Sequence, residues 1–114
     1  MFIRDLYETV NEIAPCSQPK FLSFLDTTAR SLIAKYGTKR VINDKAYTKP
    51  YGINDDFPVK DEYRNAIISN ILYYVTGNTD HKVDYVAEAE YAYKTVWRED
   101  TKKLKLVGEG YYDV

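Results

Sequence analysis

The residues of this chain that could do chemistry are few and scattered. They are His81, Cys16, a group of carboxylates at Asp55, Asp56, Asp61 and Glu62, and a basic stretch interleaved with tyrosine over 35–51. His81 is the sole histidine, so a histidine-based metal site or acid–base pair would need unusual partners. Its setting implies a solvated residue in the first turn of a helix. Cys16, between Pro15 and Ser17, sits where a helix N-terminus would stabilise a thiolate. No base accompanies it, and it reads as an ordinary loop thiol. The carboxylates lack the spaced D-x-D-x-D-G ligands of a calcium loop and read as capping and solvated groups. The chain has no G-x-x-x-x-G-K-[ST], G-x-G-x-x-G or G-x-S-x-G, so the commonest phosphate and hydrolase signatures are missing. The sequence therefore supplies no catalytic residue, no cofactor site and no metal site, and the expectation is a non-enzyme.

The basic stretch carries Lys35, Lys39, Arg40, Lys45 and Lys49 against Asp44 alone, with Tyr36, Tyr47 and Tyr51 between them. Cations neutralise phosphates and aromatic rings stack on bases, which makes Lys39, Arg40, Lys45 and Lys49 candidate phosphate contacts. The whole chain gives this no support: 16 Lys and Arg stand against 17 Asp and Glu, for a net charge of −1. A single cysteine forms no internal disulfide, which fits a reducing compartment. The first ten residues carry Arg4, Asp5 and Glu8 and no apolar core of a secretory signal. The apolar runs are only a few residues long, far short of the roughly 20 that span a bilayer, and no membrane role is expected. Twelve tyrosines against four phenylalanines and one tryptophan give the aromatic content a polar edge. Such rings suit half-wet surfaces and interfaces.

The elements that must position these residues are helical, and the expected class is all-α: one domain over 1–103, a small four-helix bundle with a long irregular loop between its second and third helices. Phe2, Ile3, Leu6, Val10 and Ile13 share one face of a helix over about 2–14, which Pro15 ends. Ser17 caps a second helix over about 18–36, with Phe21, Leu22, Leu25, Thr28, Ala29, Leu32, Ile33 and Tyr36 as its apolar stripe and Gly37 as its stop. From 38 to 59 the helical pattern vanishes. Val41-Ile42 and Ala46-Tyr47 read as short extended pieces, and Pro50, Gly52 and Pro58 as turn residues. A loop of about 20 residues is unusual in a compact domain and is often functional. Asp61 caps a third helix over about 61–76, apolar around more than half its girth and so expected to be central. A fourth runs over about 80–103. Val83, Val86, Ala89, Tyr93, Val96 and Trp97 form its stripe, widened by Tyr85, Tyr91 and Ala92. Residues 104–114 form a tail.

The stretch Asp55-Asp56-Phe57-Pro58-Val59-Lys60-Asp61-Glu62-Tyr63-Arg64-Asn65-Ala66-Ile67-Ile68, followed by Ile71-Leu72-Tyr73-Tyr74 and Gly77, resembles the central segment of bacteriophage head–tail connector (adaptor, or head-completion) proteins. The run Glu88-Ala89-Glu90-Tyr91-Ala92-Tyr93, ending in Trp97-Arg98, is similar to that family's following helix. Phe24-Leu25-Asp26-Thr27-Thr28-Ala29-Arg30-Ser31-Leu32 resembles its earlier one. The likeness covers roughly 2–103.

This resemblance implies a structural virion protein of a phage or prophage, found in the bacterial cytoplasm during assembly. Its partners would be further copies of itself in a ring, the portal protein and tail proteins, with DNA touched only in transit through the channel. A ring requires a heterologous interface, in which two different patches of one subunit meet around the circle. Tyr47, Tyr51 and Phe57 in the loop, with Tyr111 and Tyr112 in the tail, are the candidate contacts, being aromatic and outside the helical stripes. The alternatives are a small non-enzymatic protein-interaction module, or a nucleic-acid-binding accessory protein that uses the basic patch over 35–51.

Overall fold

The computed structural model describes residues 1–43, 46–48 and 50–107, the last six of these by backbone alone. The chain is all-α. In order it forms α1 (Ile3–Ile13), α2 (Gln18–Tyr36), α3 (Thr38–Val41), a 3₁₀ turn (Asp61–Tyr63), α4 (Arg64–Thr76) and α5 (Thr79–Val107). Among the described residues there is no strand, only two isolated antiparallel bridges, Phe2 with Asp56 and Ile42 with Val59.

Helix α1 buries Ile3, Leu6 and Val10. It stops at Ala14, which is extended (φ −147°, ψ 109°) because Pro15 follows. Phe2 and Ile13, expected on the same buried face, are 62% and 60% exposed. Phe2 is the N-cap and lies outside the helix, while Ile13 sits on the flank of the stripe. Ser17 caps α2 as expected, its hydroxyl accepting from the Lys20 N–H at 3.5 Å, with Pro19 in the first turn. Gly37 ends α2 at φ 90°, a backbone region that L side chains avoid.

The stretch after Gly37 corrects the expectation of an irregular loop. Thr38–Val41 winds one helical turn, seated by the fully buried Val41. Only Ile42 of the anticipated Val41-Ile42 extended piece is extended. The chain then zips back onto itself: Asn43 N–H donates to Pro58 O at 2.8 Å, and Lys60 N–H to Val41 O at 2.8 Å. A second zip joins the same loop to the start of α1, with Ile3 N–H on Asp55 O (3.2 Å) and Phe57 N–H on Met1 O (2.7 Å). These bonds satisfy backbone groups that burial would otherwise leave unpaired, and they bring Ile42, Phe57 and Val59 into the core.

The expected helix over 61–76 divides into the 3₁₀ turn and α4. Lys60, not Asp61, is the residue before the turn, and no side chain caps it. Helix α4 is central, packing against α1, α2 and α5, with Ala66, Ile67, Ile68, Asn70, Ile71 and Leu72 buried. Its one buried polar side chain, Asn70, donates from Nδ2 to Thr28 Oγ1 at 2.8 Å, and Thr28 Oγ1 donates in turn to Phe24 O at 2.8 Å. Gly77 closes α4 in the left-handed region (φ 74°). Asn78 Oδ1 accepts from the Asp80 N–H at 3.0 Å and starts α5. Helix α5 runs to Val107, so residues 104–107, expected in a tail, continue the helix.

Candidate partner interface

The loop aromatics form one cluster. Phe57 meets the rings of Tyr47 and Tyr51 edge-on at 6.0 and 5.8 Å, and those two rings lie 5.3 Å apart. The cluster faces α2 across a cleft of about 290 Å³ lined by Pro19, Leu22, Asp26, Tyr47, Pro50 and Tyr51 among others. The Tyr47 hydroxyl donates to Asp26 Oδ1 at 2.6 Å, and Asp26 Oδ2 pairs with Arg30 Nε one turn later at 3.3 Å. Burial, and then the neighbouring Tyr51, push the Tyr47 phenol up to about 12, with Arg30 pulling the other way. The Tyr51 hydroxyl accepts from the Thr48 N–H at 2.6 Å.

This arrangement changes the role of the predicted contacts. Phe57 is 1% exposed, a core residue with almost no surface to offer a partner. It is buried because its backbone is pinned between Met1 and the loop turn. Tyr47 and Tyr51 are half-buried and spend their hydroxyls within the chain. Tyr111 and Tyr112 lie outside the described residues, as do Lys45 and Lys49.

The basic patch is only partly a patch. Lys39 is exposed. The Arg40 guanidinium is committed to the Asp100 carboxylate, an ion pair that ties α3 to α5. The carboxylates ahead of α4 are likewise engaged: Asp55 accepts from the Gly52 N–H at 2.6 Å, and Asp56 and Asp61 lie 3.1 and 3.4 Å from the Met1 ammonium. Among the described residues no group of three or more His, Cys, Asp and Glu could hold a metal ion. Cys16 is half-buried, its thiol pushed up by that burial and only partly offset by Lys20. His81 stands in the first turn of α5 without a second histidine in the chain. No described helix is long and apolar enough to cross a membrane.

The tyrosines divide by where their hydroxyls end. Tyr7 donates to Cys16 O at 3.0 Å, bracing the α1–α2 turn, and Tyr85 to Ser31 Oγ at 3.2 Å, joining α5 to α2. Tyr36 stacks on Tyr93 at 4.7 Å and leans on Tyr63 at 6.3 Å. The buried hydroxyls of Tyr36 and Tyr63 have no hydrogen-bond partner among the described residues.

The surface that sequence reasoning missed is on α5. The expected single stripe is two faces. Ala89, Ala92 and Val96 turn inward onto the core, while Val83, Val86, Tyr91 and Trp97 stand 68, 43, 73 and 50% exposed. The signal was the spacing itself. At about 100° per residue, Val83, Val86 and Trp97 fall roughly opposite Ala92. Merging both sets into one stripe required an arc too wide for a single packed face.

No family model, curated protein or solved structure matches this chain.

Proposed function

We propose that this chain is a structural protein of a phage or prophage virion: a head–tail connector that assembles as a ring between portal and tail. The observation that carries the reading is the resemblance of the segment over 55–77, which the fold uses as its organising centre. Its first half is zipped to the N-terminus and to Ile42, and its second half is the central helix α4. In this reading α1, α2, α4 and α5 make a small four-helix bundle, a stiff wedge suited to a ring segment. Helix α5, at 29 residues and about 1.5 Å each, is roughly 43 Å long, long enough to reach across a neighbouring subunit. The ring-forming contacts are heterologous, and DNA meets the ring only in transit.

The half-buried faces of Tyr47 and Tyr51, and Tyr111 and Tyr112 of the C-terminal segment, are the proposed contact aromatics. Phe57 supports them from below rather than meeting a partner.

The test is co-purification with the portal protein encoded nearest to this chain, followed by negative-stain imaging. A stoichiometric ring docked on the portal is the expected result. Failure to bind, in a genome with no virion genes nearby, would overturn the reading in favour of a small protein-interaction module.

A further inference from the structure

The outward face of α5 carries exposed apolar residues that the fold does not use. Val83, Val86, Ala87, Glu90, Lys94 and Trp97 fall within an arc of about 100°. All six are exposed. Exposed apolar residues scattered singly mean little, but here Val83, Val86 and Ala87 at one end and Trp97 at the other share one helical stripe with the Glu90–Lys94 pair between them.

Two features of this stripe specify what covers it. The first is shape. Val83, Val86, Ala87 and Glu90 follow i, i+3, i+4, i+7 spacing and frame a hole with small Ala87 at its side, while Trp97 is a large knob further along the same helix. The second is charge. Glu90 and Lys94 lie in the middle of the stripe, 3.8 Å apart across one turn and both more than half exposed. They present opposite signs one turn apart, a pattern that complements its own reverse.

In an antiparallel pair of identical helices both features fix the register. Seating Trp97 of one copy over the centre of the hole on the other puts the two-fold axis level with Ala92. Pairing Glu90 of one copy with Lys94 of the other puts it level with Ala92 as well. Shape and charge thus agree on one alignment, in which each contact is made twice, as an isologous interface requires.

We infer that the free chain dimerises through α5, antiparallel, with Trp97 of each copy on the Val83–Val86–Ala87 surface of the other and reciprocal Glu90–Lys94 pairs about the axis. The seam from Val83 to Trp97 is about 21 Å long, small for a specific interface, so the pair is a weak one with dissociation in the micromolar range. An isologous pair does not propagate into a ring. The dimer is therefore a state of the free protein, and it stands or falls separately from the connector reading.

The experiment is sedimentation equilibrium of the full chain from low micromolar to several hundred micromolar concentration, with circular dichroism as the check on folding. A monomer–dimer equilibrium is expected. Trp97→Ala, at a half-exposed site, keeps the helical spectrum and weakens the dimer at least about tenfold. Glu90→Lys weakens it by setting like charges across the axis, and the exchange Glu90→Lys with Lys94→Glu restores it. A second check mixes two single-cysteine chains in a Cys16→Ser background: Glu90→Cys links to Lys94→Cys faster than either links to itself. A monomer at every concentration, assembly to trimers or larger species, or a dimer indifferent to Trp97→Ala and to the single Glu90→Lys change would each overturn the inference.

Discussion

Replacing Phe57 by alanine separates two accounts of the loop, as a partner-binding arm or as part of the core. The ring is 1% exposed and is held edge-on against Tyr47 and Tyr51. Removing a fully buried phenylalanine costs about 3–5 kcal/mol, the transfer term plus the cavity left behind. Phe57 lines the adjoining, partly open cleft of about 290 Å³, so the space its ring leaves joins that cleft instead of forming a sealed cavity, and the lower part of that range is expected. A domain of this size has only about 5–15 kcal/mol in total. With a urea slope of about 1.5 kcal/mol per molar, the midpoint falls by roughly 2–3 M. Tyr51→Ala is the control. That ring is half-buried and its hydroxyl bonds to the N–H and Oγ1 of the exposed Thr48, so its loss costs about 1 kcal/mol. Urea unfolding followed by circular dichroism reads both. A Phe57→Ala midpoint within about 0.3 M of the parent would refute the core assignment and return the residue to the partner surface.

Other outcomes follow from single groups. Tyr63→Phe removes a buried hydroxyl that has no hydrogen-bond partner among the described residues and should leave stability unchanged or raise it by up to about 1 kcal/mol; a clear loss in urea unfolding would show that the hydroxyl is bonded. Burial holds the Tyr47 phenol neutral up to about 12 and raises Tyr63 and Tyr85 too. The unfolded chain ionises its tyrosines near 10, so the stability these neutral rings contribute is complete below about pH 10 and is lost as pH rises from there through the folded values. Denaturant midpoints and phenolate absorbance against pH check the sign, and a midpoint flat across that window would contradict it. Lys39→Glu should leave stability within about 0.5 kcal/mol. Arg40→Glu sets a carboxylate against Asp100 and should lower it by about 1–2 kcal/mol, so salt-dependent DNA binding is tested cleanly at Lys39 alone.

The helices were legible because each leaves a local mark. Ser17, Gly37 and Gly77 sit where caps and stops belong, and the apolar girth of α4 announced its central place. The loop was not legible, because what orders it is remote in sequence. Phe57 is buried by bonds to Met1, and Val59 by a bridge to Ile42, and no periodicity within 38–59 encodes either pairing. Arg40 misled for the same reason: its partner Asp100 lies on the far helix. The two faces of α5 could have been separated from spacing alone, since Ala89, Ala92 and Val96 are small or branched and fit close packing on α4. Val83 lies across the helix from them, with Val86 and Trp97 on the flank between.

The loop's closure bears on where a ring contact can form. A segment free to reach a neighbour has unpaired backbone and exposed side chains. Here the stretch from Gly52 to Lys60 donates to or accepts from Met1, Ile3, Val41 and Asn43, and its aromatic centre is internal. To act as an arm it would have to release several backbone hydrogen bonds together with the burial of Phe57 and Val59, at a cost comparable to unfolding the domain. In the proposed ring, contacts between subunits would therefore use surfaces that need no rearrangement: the half-buried faces of Tyr47 and Tyr51, the outer face of α5, the exposed ends of α1 at Phe2 and Ile13, and the ring of Tyr74 beside Phe24. Because α1 and α5 each pack on α4, two such surfaces are carried by different helices around one central element. A heterologous contact has the same requirement, two unlike patches on one rigid body.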